Sequence, residues 1–504
     1  MQYSEGLKVS IEENLKRLKK LRELNIEPYP YEFLGRIEVK EILENVEKYF
    51  GKSVKIAGRI LSVRRHGKLI FFDVYEEGNK IQVAASYDKL KENFELAKLL
   101  KRGDIIGAEG ELGKTIKGEL TVFADKIYLL TPTLIDWPDK WFGIEDIEER
   151  YRKRYLDVWY NENSRKTFEI KVKAIDFFRK YLKNLGYKDF SLEIPLIQPI
   201  YGGAYAKPFI VYVNDLKENQ FLSISPEIQL KILLVAGFNK VFAITKNFRN
   251  ESIDVTHNPE FIGFEFYEAY ANRDKMMEIV ENMIYQAALE ILGTSKIKFK
   301  DYEIDLKPPW QRITVYDALK KYANLDVEKM SDEEIKSELV KHGITLKTKE
   351  FNRGLAIVEL TEKLVEDKLI QPTFLIEHPI ESTPLCKPSR KDPKLVERAE
   401  AYIAGIEIAN IYSELNNPII QNELLLQQAK MRELGFEEAH EYDKTFVEAL
   451  MYGMPPAGGV GIGVERVVQI FTNNYSIKEV MFWPMMKRKN VSEAVDILTN
   501  LTSK

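Results

Sequence analysis

Between Val54 and Leu130 the chain carries five short β-prone runs punctuated by glycines, and this pattern narrows its possible folds more than any other feature. The runs are Val54-Lys-Ile-Ala-Gly-Arg-Ile, Lys68-Leu-Ile-Phe-Phe-Asp-Val, Lys80-Ile-Gln-Val-Ala, Asp104-Ile-Ile-Gly-Ala-Glu-Gly and Leu120-Thr-Val-Phe-Ala. A helical stretch, Tyr87 to Lys101, separates the third from the fourth. Five strands with a helix after the third predict an OB-fold, a partly open barrel that often holds single-stranded nucleic acid. From Lys52 to Phe72 there are six basic residues (Lys52, Lys55, Arg59, Arg64, Arg65, Lys68) and no acid, with Phe71 and Phe72 at the end. Cations hold phosphate and rings stack bases, so a basic groove with an aromatic platform suits unpaired nucleotides. Such barrels also serve as structural modules.

Upstream, Ile11, Leu15, Leu18, Leu21 and Leu24 recur at helical spacing, and Pro28 and Pro30 end the helix. Its Lys16, Lys19, Lys20 and Arg22 read either as a solvated face or as an arm grazing RNA. Downstream, Trp137-Pro-Asp-Lys-Trp-Phe-Gly and the charged run Glu145 to Arg154 read as a connector. Phe168, Val172, Ile175, Phe178 and Leu182 predict a helix from Arg165 to Leu185, stopped by Gly186. Strands then dominate to about Tyr270, and a helix follows over Asp274 to Leu292. The expected division is a helical extension (1–50), the barrel (51–132), a linker (133–164) and a large α+β domain (165–504) with a helical insertion at about 328–368.

The 504 residues allow two to four domains, and the net charge of −4 confines any nucleic-acid contact to a local basic face. The single cysteine, Cys386, excludes an intrachain disulfide and a cysteine-rich zinc site. No apolar run reaches membrane-spanning length, and the first residues do not read as a signal peptide, so the cytoplasm is the expected compartment.

Three segments concentrate chemistry. In the first, Phe248-Arg-Asn-Glu leads into a polar loop, with Arg249 and Glu251 expected on one strand face. A fixed guanidinium there suits phosphate. Phe261, Glu265 and Tyr267 follow at even spacing, so an aromatic for a purine and a carboxylate–phenol pair for an amine share a face. The alternative is a hairpin with ordinary salt bridges. In the second, Gly458-Gly-Val-Gly-Ile-Gly-Val-Glu-Arg, alternating glycines leave one strand face bare for a ligand, and Arg466 opens a helix. It is not a dinucleotide fingerprint, because no crossover to a parallel strand with a ribose-binding acid follows. In the third, Gly405-Ile-Glu-Ile-Ala-Asn-Ile-Tyr-Ser-Glu, a regular strand would point Glu407 and Glu414 to opposite faces. These acids either supply oxygen ligands for magnesium near a triphosphate or balance buried arginines.

Together these segments resemble, in order, the three signature motifs of class II aminoacyl-tRNA synthetases. Motif 1 is matched by Arg165 to Leu185 and Phe190-Ser-Leu-Glu-Ile-Pro195, motif 2 by Phe248-Arg-Asn-Glu, and motif 3 by Gly461-Ile-Gly-Val-Glu-Arg466. Behind an N-terminal OB-fold, this arrangement is that of the subclass charging aspartate, asparagine or lysine. Within it the chain resembles the lysine enzymes over nearly its whole length, through Lys101-Arg-Gly-Asp-Ile-Ile-Gly, Lys117-Gly-Glu-Leu, Arg150-Tyr-Arg-Lys-Arg-Tyr-Leu-Asp, Gly202-Gly-Ala-Tyr-Ala-Lys-Pro-Phe, His257-Asn-Pro-Glu-Phe, Glu377-His-Pro and Ser413-Glu-Leu-Asn. Gln229, Ser252, Val460 and Glu465 depart from the family's usual residues.

The resemblance implies an antiparallel catalytic sheet flanked by helices, a homodimer through motif 1, and L-lysine, ATP, magnesium and tRNA(Lys) as ligands. It places Arg249 on the α-phosphate and the substrate carboxylate and Arg466 on the γ-phosphate, as the catalytic pair. Phe261 would stack on adenine, Glu251 would contact its amine, and His257 and Glu407 would complete the ATP site. Gly203, Glu227, Arg249, Glu265, Tyr267, Asn410 and Glu414 would line the lysine pocket, and Glu407 and Glu414 would bind magnesium. In the barrel, Arg64, Phe71, Gln82 and Glu119 would read the anticodon. A cationic amine removed from water needs carboxylates, which Glu265 and Glu414 supply, whereas an aspartate pocket needs cations. The alternatives are an aspartyl or asparaginyl enzyme, a paralogue that binds RNA or protein without charging, and an enzyme that lysylates protein.

Overall fold

The computed structural model describes residues 5–137, 144–346, 348, 350–433, 438–489 and 492–502. These form two compact units, one within Met1–Arg150, Tyr155–Asn161 and Lys487–Lys504, the other within Tyr151–Arg154 and Glu162–Met486. Residues 138–143 of the expected connector lie outside the described set, as do 347 and 349 of the expected insertion.

In the first unit, strands β1 (Ser53–His66), β2 (Leu69–Glu76), β3 (Asn79–Ser86), β4 (Ile105–Lys114) and β5 (Leu120–Thr131) close into a barrel in the order β1-β2-β3-β5-β4. A partly open barrel was the expectation. Closure follows because β3 pairs with β5 in parallel at Gln82–Ala84 while β1 spans both β2 and β4, leaving no edge. Alternate residues such as Ile56, Phe72, Val83 and Val122 fill the interior. The expected helix over Tyr87 to Lys101 is interrupted at Lys91, whose φ of 50° breaks it into Tyr87–Leu90 and Phe94–Leu99.

Helix α1 (Glu5–Glu23) begins earlier than its apolar spacing indicates, and Leu24 lies beyond it, exposed. Ile11 and Leu21 are buried, while Lys16, Lys19, Lys20 and Arg22 face solvent. Arg17 instead turns inward and grips the fully buried Asp104 through two hydrogen bonds of 2.7 and 2.8 Å. That bidentate pair fixes α1 on the barrel.

The second unit is built on an eight-stranded sheet in the order β9-β10-β11-β12-β13-β8-β7-β6, antiparallel except at its two outermost pairs. Its strands are β6 (Lys188–Asp189), β7 (Lys240–Phe248), β8 (Glu260–Ala269), β9 (Gln311–Thr314), β10 (Thr373–Pro379), β11 (Leu395–Ile403), β12 (Ile406–Ser413) and β13 (Ala457–Gly463). Helices α2 (Glu162–Asn184), α4 (Arg273–Leu292) and α6 (Val464–Phe471) cover one face. There Phe178, Phe264, Phe266, Met276, Val280, Met283, Val460 and Val467 form the main core. Of the residues expected to define α2's apolar face, Val172 is exposed, and Ala174 and Phe177 take the buried positions.

The other face of the sheet carries the polar residues. Helix α3 (Glu227–Val235) packs beside it, in a stretch expected to be mostly strand. Leu230 and Leu234 bury against Val241 and Phe446, which explains why the segment coils into a helix. Helix α5 (Arg353–Leu364) belongs to the expected insertion.

Candidate active site

The polar face of the sheet floors a cavity of about 1160 Å³. Arg249, Glu251, His257, Phe261, Glu407 and Arg466 line it, and so do Gly203, Glu227, Glu265, Tyr267, Asn410 and Glu414. The two-residue period of β8 puts Phe264 and Phe266 in the core and Glu265 and Tyr267 in the cavity. On β13 the same alternation sends Val460 and Ile462 inward and turns Gly459, Gly461 and Gly463 toward the cavity. A Cβ at Gly459 would collide with Glu414 Oε1 and the Tyr267 ring. The bare strand face is therefore a steric requirement.

One end of the cavity is acidic and buried. The Tyr267 hydroxyl donates to Glu265 Oε2 at 2.9 Å, and the Ser225 hydroxyl donates to Oε1 at 2.7 Å. Burial, reinforced by the charge of Glu227, pushes the Glu265 carboxyl up to about 7 against these hydrogen bonds. Glu414 is fully buried, and its Oε1 has no hydrogen-bond partner. Its Oε2 lies 2.6 Å from the ammonium of Lys231, which also binds Glu227 Oε1 at 2.6 Å. Burial raises the Glu414 carboxyl above the ordinary range, Lys231 opposes this, and the Glu227 charge adds to it. Burial works against the charge on Lys231, but Glu227 and Glu414 outweigh it and hold the proton on.

The opposite end is rich in guanidinium. Strand β7 stops at Phe248, so Arg249 and Glu251 do not share a strand face as expected; both stand in the loop beyond it. The Arg249 guanidinium lies over the Phe261 ring at 5.0 Å, with its Nε buried and unpartnered. Arg466, in the first turn of α6, donates to the Glu407 carbonyl and to its Oε2, each at 2.9 Å, and its Nη2 is 3.2 Å from His257 Nε2. Glu251 accepts a long 3.4 Å bond from the Lys207 backbone N–H. Glu465, one of the family departures, is wholly buried and binds Lys171 and the Ile262 backbone N–H.

Two corrections concern β12. The strand is not regular: Tyr402 pairs with Glu407 and Ala401 with Ala409, so one residue is extra. That bulge puts Glu407 on the cavity side together with Asn410, Tyr412 and Glu414. Glu407 and Glu414 nevertheless cannot hold one ion. Seven residues of extended strand span roughly 23 Å at ~3.3 Å each, whereas magnesium needs its oxygens at ~2.1 Å. Glu407 sits at Arg466 and Glu414 at Lys231.

The acid that shares the Arg466 end with Glu407 is Glu400, on the neighbouring strand β11 opposite Asn410. It touches Arg398 and accepts the Tyr402 hydroxyl at 2.9 Å. Burial, then the charges of Glu400 and Glu407, push nearby Glu366 up to about 8, which marks an excess of negative charge there. No group of three or more candidate ligands is gathered for a metal among the described residues. Two carboxylates are what magnesium takes when phosphate oxygens complete its shell. Glu400, Lys231 and Ser225 were not among the expected site residues. The sequence signal for Glu400 is an acid alternating with alanines in Arg398-Ala-Glu-Ala.

In the barrel, Arg64, Phe71, Gln82 and Glu119 come together across adjacent strands. Arg64 faces Phe71 in register and binds Asp73 at 3.0 and 3.2 Å. Gln82 lies opposite Asp73, accepts the Thr121 hydroxyl at 2.9 Å and donates to Glu119 Oε2 at 2.7 Å. Lys80 holds Glu119 Oε1 at 2.8 Å and keeps that carboxyl below the ordinary range. Phe72, expected in the aromatic platform, is fully buried in the barrel core, so of the two phenylalanines only Phe71 offers its ring.

The sequence profile of the tRNA synthetases class II (D, K and N) matches residues 146–487, and that of the OB-fold nucleic acid binding domain matches 54–130. The chain is similar to a lysine–tRNA ligase of Saccharolobus solfataricus, 45% identical over 490 residues, which cover 96% of this chain and 98% of that protein. A lysine–tRNA ligase of Thermotoga maritima is 41% identical over 97% of this chain and 98% of its own length. Lysine–tRNA ligase 2 of Methanosarcina mazei is 42% identical over 92% of each.

Proposed function

We infer the working of the cavity from one premise: the chain belongs to the class II tRNA synthetases, among the lysine–tRNA ligases. It joins L-lysine to tRNA at the expense of ATP. The acidic end is the seat of the lysine side chain, and the guanidinium end is the seat of ATP. The observation that supports this most is the unpartnered Oε1 of Glu414 beside the Glu265–Tyr267 pair, in the same cavity as Arg249 and Arg466. An ε-ammonium is the group that satisfies buried carboxylate oxygens by charge and hydrogen bond together.

In the first step the lysine carboxylate attacks the α-phosphorus in line. A carboxylate–phosphorus bond forms, the bond to the β-phosphate bridge breaks, and pyrophosphate leaves. No protein nucleophile is needed. Arg249 holds the reacting carboxylate and the α-phosphate, which brings two anions together and offsets their repulsion. Phe261 stacks the adenine, Glu251 receives its amine, and His257 and Arg466 hold the γ-phosphate. Magnesium, which would neutralise the triphosphate, fits Glu407 and Glu400 better than Glu407 and Glu414. Gly203, Glu227 and Asn410 line the remainder of the amino acid. In the second step a 3′-terminal hydroxyl of the tRNA attacks the adenylate carbonyl and AMP departs.

The barrel face of Arg64, Phe71, Gln82 and Glu119 recognises the anticodon of tRNA(Lys) by stacking and edge hydrogen bonds. Motif 1 carries exposed apolar side chains, Val172 on α2 and Leu192 after it, which a second copy would cover in a homodimer. No helix of the described residues is long and apolar enough to cross a membrane, and the proposed compartment is the cytoplasm. The test is ATP–pyrophosphate exchange with each amino acid in turn. Exchange with lysine alone is expected; exchange with aspartate and none with lysine would overturn the reading.

A further inference from the structure

Three buried carboxylates, Glu227, Glu265 and Glu414, face the acidic end of the cavity, and one buried cation stands behind them. Lys231 is completely enclosed, one turn along α3 from Glu227. Its ammonium donates to Glu227 Oε1 at 2.6 Å and to the Leu385 carbonyl at 3.4 Å, and forms an ion pair with Glu414 Oε2 at 2.6 Å. The Phe446 ring, 6.0 Å from the ammonium, helps to enclose it.

This arrangement has a consequence for the carboxylate it holds. With Oε2 tied to Lys231, Glu414 cannot rotate, and Oε1 is left pointing where a Cβ on Gly459 would clash. Three buried carboxylates facing one cavity with no internal cation would shed charge by taking up protons, and a neutral carboxyl attracts an ammonium weakly. One fixed internal ammonium leaves two negative charges uncompensated at this end, and a substrate ammonium would offset one of them. We propose that Lys231 is a positioning residue that sets the enzyme's preference for a cationic side chain, by holding Glu414 so that its free oxygen receives the substrate ammonium. The proposal rests on the assignment of this end to the lysine side chain.

The test is ATP–pyrophosphate exchange by the full chain carrying Lys231→Met, which keeps volume and removes charge. Truncating one partner of a buried charge pair is costly, so the lysine KM should rise about 30-fold or more, with the ATP KM within about twofold of the parent's. The preference for lysine over 2-aminoheptanoate, in which a methyl replaces the ammonium, should fall by a similar factor. An unchanged lysine KM, or lysine and ATP KM values rising together, overturns the proposal. If Lys231→Met does not fold, Glu227→Gln is compared with Glu227→Gln/Lys231→Met, which removes the ion pair as a unit. A further rise in lysine KM in the double variant supports the proposal, and equal values overturn it. A parent that fails to exchange with lysine would refute the lysine assignment itself; an active parent with an insensitive Lys231 variant refutes this inference alone.

Discussion

Glu265 shows how a single side chain couples function to stability. Its carboxyl is lifted by burial and by Glu227 to about 7 in the folded chain, above the ~4.3 of an exposed glutamate. Between those values the folded chain binds the extra proton and the unfolded chain does not. Stability is thus greatest in acid and falls as the pH rises through 7, where the buried carboxylate ionises beside Glu227. Glu265→Gln should raise the melting temperature of the ligand-free chain at pH 8 by about 2–4 °C, a gain that shrinks at pH 5. Calorimetry at the two pH values checks this; an equal effect at both would contradict it. None of this was legible at the residue itself. Glu265 and Tyr267 could be paired from their even spacing, but Ser225, Glu227 and Lys231 reach the site from another element.

At the scale of elements, what could be read from the chain follows from where a periodicity exists. The barrel strands are β-prone runs set off by glycines, and the glycines of β13 alternate with apolar residues, so both were expected in place. Helix α3 was not, because Glu-Ile-Gln-Leu-Lys-Ile-Leu-Leu-Val is apolar nearly all round and offers little contrast at a period of 3.6. The β12 bulge escaped for a related reason: an extra residue is a property of pairing with β11, and a single strand's sequence does not record it. Glu400 escaped likewise, because it comes beside the site only through that pairing, opposite Asn410. A prediction at this scale concerns β13. Gly459→Ala inserts a methyl into Glu414 and Tyr267, so the lysine KM should rise about 10-fold or more while the ATP KM moves about twofold at most. Steady-state exchange kinetics decide it, and equal losses for both substrates would contradict it.

At the scale of the molecule, the described residues form two compact units where the shift from short glycine-punctuated runs to a mixed α+β stretch led to an expected four-part division. The barrel unit carries the proposed anticodon face, and the sheet unit carries the whole cavity. Phe71→Ala should raise the tRNA KM for charging about 10-fold, since a stacked base is worth ~1–3 kcal/mol, and leave exchange without tRNA unchanged. A matching loss of exchange would contradict that separation. The central claim is that one cavity seats an ammonium among buried acids and a triphosphate among guanidinium groups. Pyrophosphate exchange by Glu265→Gln tests it most directly: the lysine KM should rise about 100-fold with the ATP KM within about twofold. An unchanged lysine KM in the folded variant would contradict it.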